Sequence, residues 1–151
     1  TENEKIQDKA MRLSTFSQSY FGIKDELQSA ENWATAVYEL SAVRKCDLPL
    51  EKLLALVSTA KAVHISFQQE LQERIKNDSD KKFDDTYIGG DDILPILTYV
   101  VVQASSESLV LKASDLMLLE GLVDPTQQNA EPGYYLAVFH AAIQWIQEAT
   151  D

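Results

Sequence analysis

Residues 91–102 read DDILPILTYVVV, and behind the two aspartates the run is apolar at every position except Pro95 and Thr98. The β-branched and aromatic residues at its end would also suit a strand. Pro95 is tolerated in the first turn of a helix after an aspartate N-cap, but it would exclude a central strand, and no second strand candidate exists to pair with it. The run therefore predicts an internal helix.

Helical periodicity extends on both sides of this run. The longest pattern alternates steps of three and four over seven turns and comprises Leu50, Leu53, Val57, Ala60, His64, Phe67, Leu71 and Ile75. Two shorter patterns precede it, one with Ile6, Ala10 and Leu13, and one with Trp33, Val37, Leu40 and Val43. We expect Ser29 to be the N-cap of the helix that contains Trp33.

The chain after the apolar run predicts two more helices. One contains Leu109, Lys112, Ala113, Leu116, Leu118 and Leu119, with Gly121 as its C-cap. The other opens at Glu131 and Pro132 and is apolar as far as Ile146. Residues 77–90 predict a solvated loop and residues 124–126 a turn. The prediction is an all-α fold, a single layered helical domain of about six or seven helices.

Length and charge limit the classes of function. A chain of 151 residues predicts one domain, spanning residues 1–151. Thirteen basic against twenty-four acidic residues give a net charge of −11, and a field of that sign repels nucleic acid and anionic lipid. The chain has no secretory signal pattern and no run of about 20 apolar residues. With Cys46 as its single cysteine, we expect a cytoplasmic protein without direct membrane insertion.

The side chains that usually support enzyme chemistry are scarce. Cys46, His64 and His140 are the only cysteine and histidines, so neither a thiolate cluster nor a histidine-rich zinc site can form. His64 lies on the longest apolar stripe, where a packed core histidine is favoured over a catalytic base. The sequence contains no nucleophile elbow, Walker A loop or dinucleotide fingerprint. We expect no covalent chemistry, no metal and no cofactor.

Two pairs of residues, each at the start of a predicted apolar helix, are candidates for a binding site. Asp91 and Asp92 stand before the apolar run, and helix capping accounts for one carboxylate, which leaves the other to project from the rim of an apolar surface. Tyr134 and Tyr135 begin the last helix, where core packing competes with a role in binding. If the two helices lie side by side with their N-termini at one end, Asp91 and Tyr134 would flank a groove. Such a groove suits a protein partner that presents apolar residues and a lysine.

These residues resemble the vacuolar protein sorting nine (Vps nine) domain, the catalytic module of guanine-nucleotide exchange factors for Rab GTPases of the Rab-five subfamily. The opening pattern of that family matches Leu13, Phe21, Gly22, Ile23, Trp33, Ala36, Glu39, Leu40, Pro49, Lys52 and Leu53. Its first signature block matches residues 91–101. Its second block matches residues 131–136, followed by Ala141, Ala142 and Ile146.

The resemblance implies a layered helical fold in which the two signature helices form a groove for the switch regions of a Rab. It implies that Asp91 is an acidic finger, which competes with phosphate and Mg²⁺ for the lysine of the GTPase phosphate-binding loop. It implies that Tyr134 contacts the switch region. The further GTPase-binding positions are Asp92, Pro95, Tyr99, Tyr135 and Ala137, of which Asp92, Pro95 and Tyr99 shape and support the groove.

Two departures from the family pattern keep an alternative open. Ala137 stands where the family commonly carries a hydroxyl residue, and a hydrogen bond worth about 0.5–1.5 kcal/mol could be missing. Residues 105–108 replace a proline-rich turn. The resemblance implies an exchange catalyst that prefers nucleotide-free or GDP-bound Rab and is peripherally recruited to early endosomes. The alternative is a non-catalytic GTPase-binding or protein-interaction module of the same fold.

Overall fold

The computed structural model describes residues 1–77, 86–123 and 131–149. Within these ranges all regular structure is helical, with six α-helices and three short 3-10 helices. The α-helices are α1 (Glu2–Leu13), α2 (Ala34–Ser41), α3 (Pro49–Asn77), α4 (Ile93–Ala104), α5 (Ala113–Glu120) and α6 (Glu131–Glu148). The 3-10 helices are Gln18–Phe21, Asp25–Leu27 and Ala42–Lys45. The predicted all-α fold of about six or seven helices is confirmed.

The predicted internal helix is α4, and it forms the centre of the domain. All residues from Ile96 to Val102 are buried, and α4 packs against α1, α2, α6 and the first 3-10 helix. Pro95 lies in the first turn, where it costs no hydrogen bond inside the helix. A helix that is covered on every side needs no polar face, which explains why its sequence shows no clear periodicity.

The seven-turn pattern is the single helix α3, which is 29 residues long. Its inner positions Leu53, Val57 and Phe67 are buried. Leu50 and Ile75, at the two ends of the pattern, are exposed. A helix of this length extends about 44 Å, so its terminal turns pass beyond the core that its neighbours build.

The start of α2 differs from the prediction that Ser29 is its N-cap. The helix begins at Ala34, after Trp33, whose backbone is left-handed with φ 58°. Ser29 instead organises the preceding turn, because its hydroxyl accepts the N–H groups of Glu31 and Trp33, both at 3.2 Å. Burial of the Trp33 ring offsets the cost of the left-handed backbone, which is about 1–2 kcal/mol.

The bounds of α5 are also narrower than predicted. The helix begins at Ala113 rather than near Leu109, because the Asp115 carboxylate accepts the N–H of Lys112 at 3.2 Å and starts the helix there. Gly121 is its C-cap, as predicted, but has φ −69° and so does not use the left-handed freedom of glycine. The turn predicted at 124–126 and most of the loop predicted at 77–90 lie outside the described residues.

The first helix holds α4 and α6 together at one end. The Gln7 Nε2 donates to the Ser105 carbonyl at 2.8 Å, just after α4, and the Lys9 Nζ donates to the Gln147 carbonyl, near the end of α6. Both C-terminal ends therefore lie against the middle of α1. Since α4 and α6 also pack against each other, both N-termini face the opposite end of the domain.

Candidate functional site

The arrangement that the sequence left conditional, with the N-termini of α4 and α6 at the same end, is present in the structure. The contacts of Phe21 support this arrangement. Its ring contacts both Tyr99 of α4, at 5.3 Å between centroids, and Trp145 of α6, at 5.5 Å. Tyr99 and Trp145 each lie within about two turns of the C-terminal end of their helix. Asp91 and Tyr134 therefore belong to the same end of the helix pair.

Asp92 forms hydrogen bonds with the turn that precedes α4. It stands at the N-cap position of α4, but its backbone is right-handed (φ −90°, ψ −22°) and its carboxylate accepts no hydrogen bond from the helix. Its Oδ2 instead accepts the N–H of Gly89 at 2.8 Å, while its own N–H donates to the Gly89 carbonyl at 3.0 Å. Residues 89–92, here called the acidic turn, are closed by this reciprocal pair. The expectation that an aspartate caps α4 through its side chain is wrong, because side-chain capping requires an extended backbone.

Asp91, by contrast, is exposed. Its carboxylate makes no hydrogen bond or ion pair with any other described residue. Asp92 is the main cause of the raised pKa of Lys24, and the charge of Asp91 adds to that effect. The position before the N-terminus of α4 places both carboxylates in the favourable field of the helix. The two adjacent aspartates thus separate into one that holds the turn and one that faces outward.

The surface that α4 offers to a partner is short. In the first turn of α4, Leu94 and Pro95 are partly exposed, and every residue from Ile96 to Val102 is buried. Tyr99 is only 5% exposed, its hydroxyl lies 3.4 Å from the Asn32 Oδ1, and burial raises its pKa. A groove that runs along the length of α4 is therefore not available. Tyr99 is placed to support α4 from within and not to touch a partner.

The outer surface of α6 is longer. Tyr134, Ala137, Ala141, Gln144 and Glu148 recur at steps of three and four and are exposed or partly exposed; we call them the α6 stripe. Tyr134 is 50% exposed at its N-terminal end. Its neighbour Tyr135 is half-buried against the core, and the two rings meet at 5.3 Å between centroids. Burial, then the charge of Glu131 and the neighbouring Tyr134, raise the pKa of Tyr135.

Lys24 lies beside the acidic turn, and the sequence patterns did not identify it as part of the site. Its Nζ lies 3.2 Å from the Asp92 Oδ1, and this contact raises the pKa of Lys24. The Lys24 side chain is 61% exposed while that of Asp92 is 14% exposed. Lys24 belongs to the segment between α1 and α2, so no local pattern connects it with the acidic turn.

The remaining chemistry of the described residues is sparse. No group of three histidine, cysteine, aspartate or glutamate side chains within these ranges could hold a metal ion. His64 is partly buried on α3, and burial lowers its pKa. His140 is exposed and its Nδ1 lies 2.9 Å from the Glu120 carboxylate. None of the described helices has both the length and the apolar character that a membrane crossing requires.

Comparison with known proteins assigns the class. The sequence pattern of the Vacuolar sorting protein 9 (VPS9) domain matches residues 33–151, and the chain belongs to this family. VPS9 domains are exchange-factor domains that act on Rab GTPases. Among curated proteins, Protein sprint of Drosophila melanogaster is 40% identical over 57 residues. That stretch covers 38% of this chain and 3% of the length of Protein sprint.

Proposed function

We propose that residues 1–151 form an exchange domain that accelerates GDP release from endosomal Rab GTPases of the Rab-five subfamily. The observation that carries the proposal is the division of labour between the two aspartates at the start of α4. Asp92 is bound to Gly89 and Lys24, whereas Asp91 is exposed and lacks a partner among the described residues. An exposed carboxylate on a closed turn is a suitable acidic finger, because little conformational freedom is lost when it meets a cation.

In the proposed mechanism, Asp91 approaches the phosphate-binding loop of the GTPase and attracts its lysine. The lysine then contributes less to holding the phosphates of GDP, which lowers the affinity for nucleotide. Exchange follows because the domain binds the nucleotide-free GTPase more tightly than the loaded one, so the equilibrium shifts toward the empty state. Preference for nucleotide-free or GDP-bound Rab is part of this proposal.

Tyr134 is the proposed contact to the switch region. It is half-exposed at the end of the α6 stripe nearest the acidic turn, and an exposed tyrosine presents an apolar ring and a hydroxyl without losing many rotamers on binding. Pro95 and Leu94 add a small apolar rim on α4. Asp92, Tyr99 and Tyr135 are proposed to support these contacts, since each is held by neighbours inside the domain.

The test is the release rate of fluorescent GDP from a panel of Rab GTPases. We expect the intact domain to accelerate release from Rab-five-type GTPases and Asp91→Ala to remove most of the acceleration. Asp8→Ala is the matched control, because Asp8 is an exposed carboxylate on α1, at the other end of α4 and α6. Equal rates for the intact domain and Asp91→Ala would contradict the role of Asp91.

Ala137 favours a second candidate, a GTPase-binding module of the same fold without exchange activity. Ala137 is exposed on the α6 stripe, one turn after Tyr134, and offers no hydroxyl where the resemblance implies one. Measurable binding to a Rab without any acceleration of GDP release would establish this second candidate and exclude the first.

The proposed place of action is the cytoplasmic face of early endosomes, where the domain would be recruited peripherally. The net charge of −11 gives the domain no electrostatic attraction to anionic lipid, so recruitment would come from the lipid-anchored GTPase or from other protein regions. Co-sedimentation with liposomes tests this. Tight binding of the isolated domain in the absence of a Rab would contradict it.

A further inference from the structure

We infer that Lys24 is a positioning residue of the exchange site, which acts by holding Asp92 so that the acidic turn presents Asp91 to the GTPase. This inference rests on the proposed exchange function. Lys24 lies before residue 33, where the match to the VPS9 domain begins, so the family match does not include it. The contact with Asp92 is formed only because the chain before α2 folds back onto the N-terminus of α4.

Asp92 is held from two sides. Its carboxylate bridges two groups, with Oδ2 on the N–H of Gly89 at 2.8 Å and Oδ1 on the Nζ of Lys24 at 3.2 Å. A Cβ added at Gly89 would lie 3.1 Å from the same Oδ2, so the carboxylate rests almost directly on the backbone of that glycine. The Asp92 side chain is thereby fixed on both sides, and the backbone of the adjacent Asp91 is fixed with it.

The backbone on either side of Lys24 is anchored to the domain. The flanking residues Ile23 and Leu27 are buried in the core. Arg74 of α3 donates to the carbonyl groups of Glu26 at 2.8 Å and Gln28 at 2.6 Å, which ties the segment after Lys24 to the longest helix. Lys24 therefore reaches the acidic turn from an anchored backbone and not from a free loop.

Lys24 also balances the charge of the acidic turn. Asp91 and Asp92 are adjacent like charges, and the charges of both act on Lys24. A lysine on the Asp92 side of the turn offsets part of the repulsion between the two carboxylates and leaves Asp91 as the outward charge. Its removal would free Asp92 to compete with Asp91 for the incoming lysine of the GTPase, or to leave the turn.

The experiment measures two quantities for the domain and its variants: the maximal GDP-release rate at saturating domain, and the affinity for nucleotide-free Rab. We expect Lys24→Ala to lower the maximal rate about 2- to 5-fold, the range that an exposed ion pair supports, and to weaken the affinity for nucleotide-free Rab by a similar factor. Lys24→Arg should retain the rate, and Lys5→Ala, an exposed lysine on α1, is the control. Urea unfolding of each variant checks that the fold is intact.

A double-mutant cycle with Asp91→Ala separates positioning from direct contact. If Lys24 acts through Asp91, then Lys24→Ala weakens binding of nucleotide-free Rab only when Asp91 is present. Equal weakening in both backgrounds, or wild-type rates for Lys24→Ala, would overturn the inference while the exchange function stands. A wild-type domain without exchange activity on every Rab tested would overturn the proposed function and, with it, the role of Lys24.

Discussion

The ring of Phe21 meets the ring of Tyr99 edge to face, with centroids 5.3 Å apart and planes at 88°. Phe21 precedes the region that matches the VPS9 domain, whereas Tyr99 lies within the first signature helix. The contact therefore joins the N-terminal segment to the helix that carries the acidic turn. Aromatic pairs in this geometry contribute about 0.5–1.5 kcal/mol beyond the area that they bury.

Phe21→Ala is expected to destabilise the domain by about 3–5 kcal/mol, since it removes a buried aromatic ring and leaves a cavity between α4 and α6. Urea unfolding monitored by circular dichroism measures this change. Phe16→Ala is the control, because Phe16 is 42% exposed and stacks on the exposed Tyr20, and should cost about 0.5–1.5 kcal/mol. Equal losses for the two variants would contradict the central position of Phe21.

Gln18→Leu is expected to cost about 1–3 kcal/mol for each hydrogen-bonding group left unsatisfied. Gln18 is buried, and its Oε1 accepts the N–H of Ser29 and the Nε1–H of Trp33, both at 3.0 Å. Leucine fills a similar volume but accepts neither bond. The free energy of unfolding in urea measures the loss, and an unchanged value would show that water replaces the amide. Gln68→Leu, on the exposed face of α3, is the control.

His64 is expected to make the domain less stable as the pH falls below about 6.5. Burial lowers the pKa of His64 below the ordinary value of 6.5, so the unfolded chain binds a proton before the folded one does. Stability from this group is complete above pH 6.5 and is lost progressively as the pH falls toward the lowered pKa. Urea unfolding at several pH values between 7.5 and 5 measures the slope.

In His64→Gln this part of the pH dependence should disappear, whereas in His140→Gln it should persist. His140 is the matched control because it is exposed and lies beside the Glu120 carboxylate. An identical pH slope for the wild type and His64→Gln would contradict the effect of burial on His64.

Ala137→Ser is expected to raise the efficiency of exchange by about 2- to 10-fold, if a hydroxyl at this position donates a hydrogen bond to the GTPase, a contact worth about 0.5–1.5 kcal/mol. Ala137 is exposed on the α6 stripe, so the change should leave the free energy of unfolding almost unaltered. GDP release measures the effect. Ala141→Ser, one turn further along the stripe, is the comparison, and an equal gain there would deny Ala137 a specific role.

The helices could be predicted from sequence because their causes are local. Apolar spacing predicted α3, and Pro95 together with the lack of a partner strand decided that residues 93–102 form a helix. The errors lie at the helix ends. Ser29 could not be distinguished from an N-cap by its residue type, since the left-handed backbone at Trp33 depends on the burial of that ring in the folded core.

The family resemblance was also contained in the sequence, and the match over residues 33–151 confirms it. The surroundings of the proposed site, by contrast, could not be predicted from the sequence. The sequence pointed to Asp91 and Tyr134 as candidates, which would flank a groove if the two helices lay side by side with their N-termini at one end. Only the packed structure shows that α4 is enclosed from Ile96 to Val102 and that Tyr99 faces the core.

By itself, the sequence determined which segments are helical and to which family the chain belongs, because periodicity, proline position and signature blocks are properties of neighbouring residues. Only the tertiary structure decided how the two aspartates differ. Asp91 and Asp92 are chemically identical and adjacent, but Asp92 accepts the N–H of Gly89 and contacts Lys24, a residue far away in the chain, whereas Asp91 is exposed. The energy of that contact depends on distance in space, which no local pattern records.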